Sequence, residues 1–189
     1  MVITSAVAAY LCGVWGIYGH FVVQDRVEPA MKFTSALSLV GLAWFLFARW
    51  RQGALIGSTS PPRDDAVLGL LAGFMVLFWW TVAVTRERRL TLAFSKDQPH
   101  FICKTGPYRW LRHPFYTSYM IFWVALAIGA GGLAFWLMPA AMLAIYWRAI
   151  RLEEAKFAAS PMALEYANYR PVTARIFAAF HARSKTGDA

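Results

Sequence analysis

Residues 66–85 run for twenty positions without one charged side chain. A helix of that length rises about 30 Å, the thickness of a bilayer's hydrocarbon core. This run limits the chain more than any other feature, because its apolar surface must meet either lipid or a large protein core. It is not alone. The chain is 59% hydrophobic and only 15% charged, whereas a soluble domain carries roughly a quarter charged residues. The apolar patterning predicts an all-α, polytopic integral membrane protein, in one domain, with about five transmembrane helices.

Taken in order, the spans are expected at about Ile3 to Val23, Phe33 to Phe47, Ala66 to Thr85, Pro114 to Ile128 and Leu133 to Trp147. The first three fill residues 1–89; a polar loop, a helical hairpin and a tail fill 90–189. The N-terminus has no Lys or Arg before its apolar run, so it reads as a retained span rather than a cleavable signal. Gly13, Gly16 and Gly19 give the first span a small face suited to close helix packing, within the chain or in a homo-oligomer.

Pro29 falls in a polar link at Gln24 to Lys32, and Arg49 and Arg51 close the second span. Gly57, Ser58, Ser60, Pro61 and Pro62 break the loop Gly53 to Asp65, and Arg86, Arg88 and Arg89 close the third span. Thr91 to Phe94 suits a short strand or interfacial piece. Gly129 to Gly132 suits a tight turn, and Pro139 a kink in the fifth span. The last two spans, at ~15 residues, are short for a ~30 Å core.

Net charge is +9. With membrane spans present, the basic residues read as lipid-facing loops and not as a nucleic-acid surface. Five spans place sixteen Lys and Arg on one side and three on the other. The positive-inside rule then puts the C-terminus in the cytoplasm and the N-terminus outside, in the inner or plasma membrane if the cell is bacterial. Cys12 and Cys103 make no CxxC or metal spacing, and no metal site is expected.

Two polar segments interrupt the apolar runs on that basic side. The first is Gly106-Pro-Tyr-Arg-Trp-Leu-Arg-His-Pro-Phe-Tyr116. Pro114 suits the first turn of a helix, and the free N–H groups there, with Arg109 and Arg112 beside them, suit a carboxylate or phosphate. The second is Arg148-Ala-Ile-Arg-Leu-Glu-Glu154. Glu153 and Glu154 either pair locally with Arg148 and Arg151 or hold a cationic group such as an ammonium or sulfonium. Downstream, Glu154 to Phe180 is partly amphipathic, with Ile176, Phe177 and Phe180 on one face and Arg175, Arg183 and Lys185 beside them. It reads either as an interfacial helix or as a segment whose Tyr166 and Tyr169 close the site.

Together these segments, with Glu165-Tyr-Ala-Asn-Tyr169, resemble the isoprenylcysteine carboxyl methyltransferase family and the related phospholipid N-methyltransferases. The likeness covers about the last 90 residues. It implies a membrane methyltransferase that uses S-adenosylmethionine, with the C-terminal spans and tail enclosing the cofactor near the cytosol and a lipophilic acceptor arriving from the membrane lipid. Carried over, His113, Pro114, Tyr116, Glu153 and Glu154 would contact the cofactor. Arg148 or Arg151 would orient a carboxylate, and Tyr166 and Tyr169 would line the pocket. Arg109, Arg112 or Arg148 would bind a carboxylate acceptor; an amine acceptor would need a base, His113 or Glu154. The chain departs from the family at Ser160 to Leu164, where a Phe-Gly is usual, and after Arg175, where a proline often follows.

Two other classes remain open. Membrane reductases that use a nicotinamide cofactor share an Arg-His-Pro element, but theirs typically continues Asn-Tyr where this chain has Phe115-Tyr-Thr-Ser118. A non-catalytic membrane module needs none of these residues.

Overall fold

The structure is a computed structural model that describes residues 1–20, 29–53, 61–87, 99 and 101–176, without the side chains of 17–20. Residues 24–28 of the first polar link lie outside the described residues. So do Gly57, Ser58, Ser60, Arg88, Arg89, the 91–94 piece, Phe177, Phe180, Arg183 and Lys185.

Five long helices make up the body: α1 (Val2–His20), α2 (Pro29–Arg51), α3 (Pro61–Thr85), α4 (Pro114–Ala130) and α5 (Leu137–Ala158). A short α6 (Ala163–Tyr169) follows, and three-residue or four-residue 3-10 turns stand at Gly106–Arg109, Leu133–Trp136 and Arg170–Val172. The described residues contain no strand, only one isolated bridge between Leu111 and Ala174. The all-helical expectation therefore holds. Three stretches, Pro29–Arg51, Pro61–Thr85 and Leu133–Ala158, are long and apolar enough to cross a membrane; Val2–Gly16 and Pro114–Ala130 are shorter apolar helices.

The prolines account for most of the misplaced boundaries. Pro29 and Pro61 open helices instead of interrupting loops, so α2 and α3 begin four and five residues before the expected spans. A proline at a helix's first position loses no hydrogen bond, because that N–H has no intrahelical partner. The same reason removes the expected kink at Pro139. It is the third residue of α5, within the first turn, where its missing N–H costs nothing. Gly129 and Ala130 continue α4, and only Gly131, at φ +71°, turns the chain. The fifth span was also read too short, since α5 carries its polar residues on to Ala158 as helix.

α4 is the centre of the bundle and touches each of the other four long helices. Its sequence, Pro-Phe-Tyr-Thr-Ser-Tyr-Met-Ile-Phe-Trp onward, is apolar on every side, as a surrounded helix must be. Phe115, Met120, Phe122, Trp123, Leu126 and Ala130 are all buried. Phe74 and Phe78 of α3 stack on one another and meet Tyr119 and Phe115 of α4. The small face of α1 lies against this aromatic wall. A Cβ on Gly16 would stand 2.4 Å from the Phe78 ring, so only glycine permits the approach. That face thus packs within the chain.

The helices alternate in direction. Arg49 at the end of α2, Asp64 at the start of α3 and Gly129 at the end of α4 meet at one end of the bundle. The start of α4 and the end of α5 meet at the other end.

Candidate active site

The site forms where the first turn of α4 faces the last turns of α5. Gly106 starts the approach, at φ +56° with its Cα against Val84 of α3; a Cβ there would come within 2.5 Å of Val84 Cγ2. The 3-10 turn Gly106–Arg109 then buries Pro107 and Tyr108. This turn sets the chain on course for Arg112, His113 and the opening of α4 at Pro114.

Arg112 and His113 point to the paired carboxylates of α5. Arg112 Nε donates to Glu154 Oε1 at 3.2 Å. His113 Nδ1 lies 3.1 Å from Glu153 Oε2. The other ring nitrogen, Nε2, is 3.5 Å from Glu154 Oε1, within ion-pair reach but outside hydrogen-bonding geometry. One turn into α4, the Tyr116 hydroxyl donates to Glu153 Oε1 at 3.1 Å. Glu153 thus spans His113 and Tyr116, while Glu154 faces Arg112 and His113. Burial alone would lower the His113 pKa, but the bonds and charges of Glu153 and Glu154 outweigh it and hold the imidazole above its ordinary value.

The tail returns across this network. After α6 and the turn at Arg170–Val172, residues 173–176 run alongside the loop before α4. Arg112 N donates to Ala174 O at 2.7 Å and Ala174 N to Trp110 O at 2.8 Å. Arg112 Nη1 donates to the carbonyl oxygens of Arg170 and Thr173, and Thr117 Oγ1 donates to that of Ile176. This strap delivers Arg175 onto Glu154: Nε donates to Oε1 at 3.1 Å and Nη2 to Oε2 at 2.7 Å. The guanidinium also lies over the Trp147 ring, 4.8 Å from its centroid. One carboxylate therefore serves two guanidiniums.

Of the residues read from the sequence, Arg112, His113, Tyr116, Glu153 and Glu154 converge, with Pro114 starting the helix that carries them. Tyr169 is buried, and its hydroxyl donates to Tyr108 O at 2.6 Å. It locks α6 to the loop. Tyr166 is buried and stacks on Phe157 at 4.8 Å, but its hydroxyl has no hydrogen-bond partner among the described residues. Burial first, and the Glu154 charge second, raise its pKa and keep it a neutral donor. Arg109, Arg148 and Arg151 are exposed and lie outside the network. The local pairing of Glu153 and Glu154 with Arg148 and Arg151 is not what forms, because the carboxylates turn inward toward α4. Nor is the tail one interfacial helix: Ser160-Pro161 ends α5, and the chain folds back as α6 and the strap.

Arg175 is the site residue that sequence reasoning left out. It stood in the tail beside other basic residues, and nothing local distinguishes it. Its partner is 21 residues back along the chain, and only the return of the strap brings the two together.

The network fits an S-adenosylmethionine-like group in its chemistry. Two buried polar atoms near Glu154, His113 Nε2 and the Tyr166 hydroxyl, have no hydrogen-bond partner among the described residues. A buried polar group left unmatched is costly unless a ligand or water supplies the bond. Two carboxylates suit an ammonium and a sulfonium.

No curated protein and no solved structure matches this chain. Residues 66–160, half of the chain, match the family model described as phospholipid methyltransferase. The matched region runs from α3 through α5 and contains the His113, Tyr116, Glu153 and Glu154 cluster; with its three membrane-length apolar helices, this chain belongs to the phospholipid methyltransferase family, a family of membrane methyltransferases.

Proposed function

We propose that the protein transfers a methyl group from S-adenosylmethionine to the head-group amine of a membrane phospholipid, at the end of the bundle where α4 begins and α5 ends. The observation that carries this reading is the facing of His113 and Tyr116 against Glu153 and Glu154. Glu153 and Glu154 would hold the cofactor's ammonium end, and the Tyr166 hydroxyl and His113 would supply its remaining polar contacts. When bound, the cofactor would supply an electrophilic methyl on sulfur for displacement by the amine nitrogen. For such an in-line displacement the residues must align the partners and place charge, and little more.

An amine acceptor arrives protonated and must lose a proton first. Glu154 is already paired with Arg112 and Arg175, which makes it a poor proton acceptor, so His113, in its neutral form, takes that role. A carboxylate acceptor, as on an isoprenylcysteine, would need no base but would need a free cation. Within the buried network Arg112 and the inner edge of Arg175 turn toward Glu154, so no cation there is given over to an acceptor carboxylate and the buried site favours the amine. The alternating directions of α1 to α5 and the excess of Lys and Arg on the side of the site support five crossings with the C-terminus in the cytoplasm.

Incubating membranes that contain the protein with methyl-labelled S-adenosylmethionine tests this directly. Label should enter the phospholipid fraction and resist alkaline treatment. Base-labile label would mean an ester and a carboxylate acceptor, and no lipid label would end the reading.

A further inference from the structure

An apolar groove of about 570 Å³ runs along the outer face of α5, lined by Ala140, Leu143, Ala144 and Trp147 with Arg175 and Ile176 of the strap. Its volume falls within the ~300–1,000 Å³ typical of small-molecule sites. The four helix residues lie at i, i+3, i+4 and i+7, a single stripe. Along α5 the stripe covers about 10 Å of rise. It ends at Trp147, next to Arg148, where the helix passes from apolar to charged sequence.

At that polar end stands Arg175, the only charged lining residue among the described residues. Two of its nitrogens are held by Glu154, and its third, Nη1, has no partner among the described residues. Its side chain retains 31% of its exposure. Arg175 therefore belongs to two places at once. One edge closes the buried carboxylate network, and the other faces the head of an apolar channel.

The geometry points to this groove as the seat of one acyl chain of the acceptor phospholipid, with Arg175 reading the phosphate. The inference rests on the proposed methyl transfer and adds where the lipid lies and what selects it. An occupant must be apolar along Ala140 to Trp147 and anionic at Arg175. A membrane phospholipid satisfies both, and its amine, a few bonds beyond the phosphate, then lies on the Glu154 side of Arg175. Arg175 is thus a specificity-determining residue: it discriminates a phosphate-bearing lipid from a neutral one of the same chain length.

The test is retention of phosphatidylethanolamine by the full-length protein in mild detergent, counted by native mass spectrometry against diacylglycerol. The parent should retain the phospholipid and not the diacylglycerol. Ala144→Trp, which fills the groove from an exposed position, should abolish retention. Arg175→Gln should weaken it about tenfold, the loss of one charge-assisted bond, and erase the preference over diacylglycerol. Leu143→Trp serves as a second groove-filling variant should Ala144→Trp not fold. Equal retention by the groove-filled variants, or equal retention of diacylglycerol by the parent, would overturn the inference. Binding of S-adenosylhomocysteine, followed in parallel, separates the two ideas. If it binds normally while the filled groove still turns over lipid at the parent's KM, the groove assignment is wrong and the methyl transfer stands. If the parent binds none, the methyltransferase reading fails, while lipid retention still reports on the groove.

Discussion

The two ends of the bundle each hold buried arginine and carboxylate, yet they are built differently. At the far end Arg49 is 1% exposed and pairs with Asp64 through two bonds, at 3.0 and 3.3 Å. The same guanidinium reaches Gly129 O at 3.4 Å, and Gln52 Nε2 donates to Ala130 O at 2.6 Å. These contacts cover the last carbonyls of α4, which lack intrahelical partners. At the near end a single carboxylate, Glu154, is shared by Arg112, Arg175 and His113, and His113 Nε2 and the Tyr166 hydroxyl beside it have no hydrogen bond among the described residues. The first arrangement ties three helices together. The second leaves bonding capacity for something that arrives. Pairing that closes helix ends marks a fastening, and one carboxylate shared among three basic side chains beside a groove marks a site.

The contrast can be broken most forcefully at the fastening. Removing one partner of a buried pair strands a charge and costs about 3–5 kcal/mol, while replacing both with apolar residues is often neutral. Arg49→Ala should therefore collapse the thermal stability of the solubilised protein, and Arg49→Met with Asp64→Leu should restore most of it. Equal losses for the single and double variants would mean the pair does more than fasten.

At the site the balance should reverse. Glu153→Gln keeps the shape and the contact with the Tyr116 hydroxyl but removes the charge facing His113. Methyl transfer should drop by about 10²-fold, the range for losing a positioned acid–base partner, with little change in melting temperature. A large stability loss with activity retained would place Glu153 with Asp64 as a fastening.

A pH series sharpens the same comparison. The His113 pKa is raised in the fold, because Glu153 and Glu154 outweigh the effect of burial. The stability this pairing adds is fully present below the unfolded value of about 6.5 and is lost as pH rises through the higher folded value. Activity should move the opposite way, rising over that window as His113 becomes a neutral base. His113→Gln should flatten both trends. Parallel trends in activity and stability would contradict the assigned role.

The smallest effect is expected at Lys104 and Glu165. Their side chains are 47% and 50% exposed, with nitrogen and oxygen 2.7 Å apart. Exposed pairs of this kind contribute about 0–1 kcal/mol, so Lys104→Ala should shift neither melting nor turnover measurably.

The near end was largely legible from sequence, and the far end was not. Pro114 suited a helix start, His113 and Tyr116 sat one turn apart across it, and Glu153-Glu154 read either as local partners of Arg148 and Arg151 or as a cation-holding pair. Arg49 looked like a terminal anchor and Asp64 like loop, because Pro61 reads equally well as a breaker and as a first helical residue. Only the meeting of two helix ends decides between them. Arg175 was hidden for a related reason. Its role depends on the strap turning back at Ser160-Pro161 and pairing with Trp110 and Arg112, a long-range event with no local periodicity.

The central claim is that the stretches around His113 and Glu153 grip one charged cosubstrate together. Titration calorimetry of S-adenosylhomocysteine into the solubilised protein measures this most directly, with Tyr116→Phe and Glu153→Gln as the two halves and Lys104→Ala as reference. Binding should weaken about tenfold or more in each half-site variant, as expected for a lost bond to a charged group, and stay unchanged in Lys104→Ala. Parent-like affinity in both half-site variants would contradict the account.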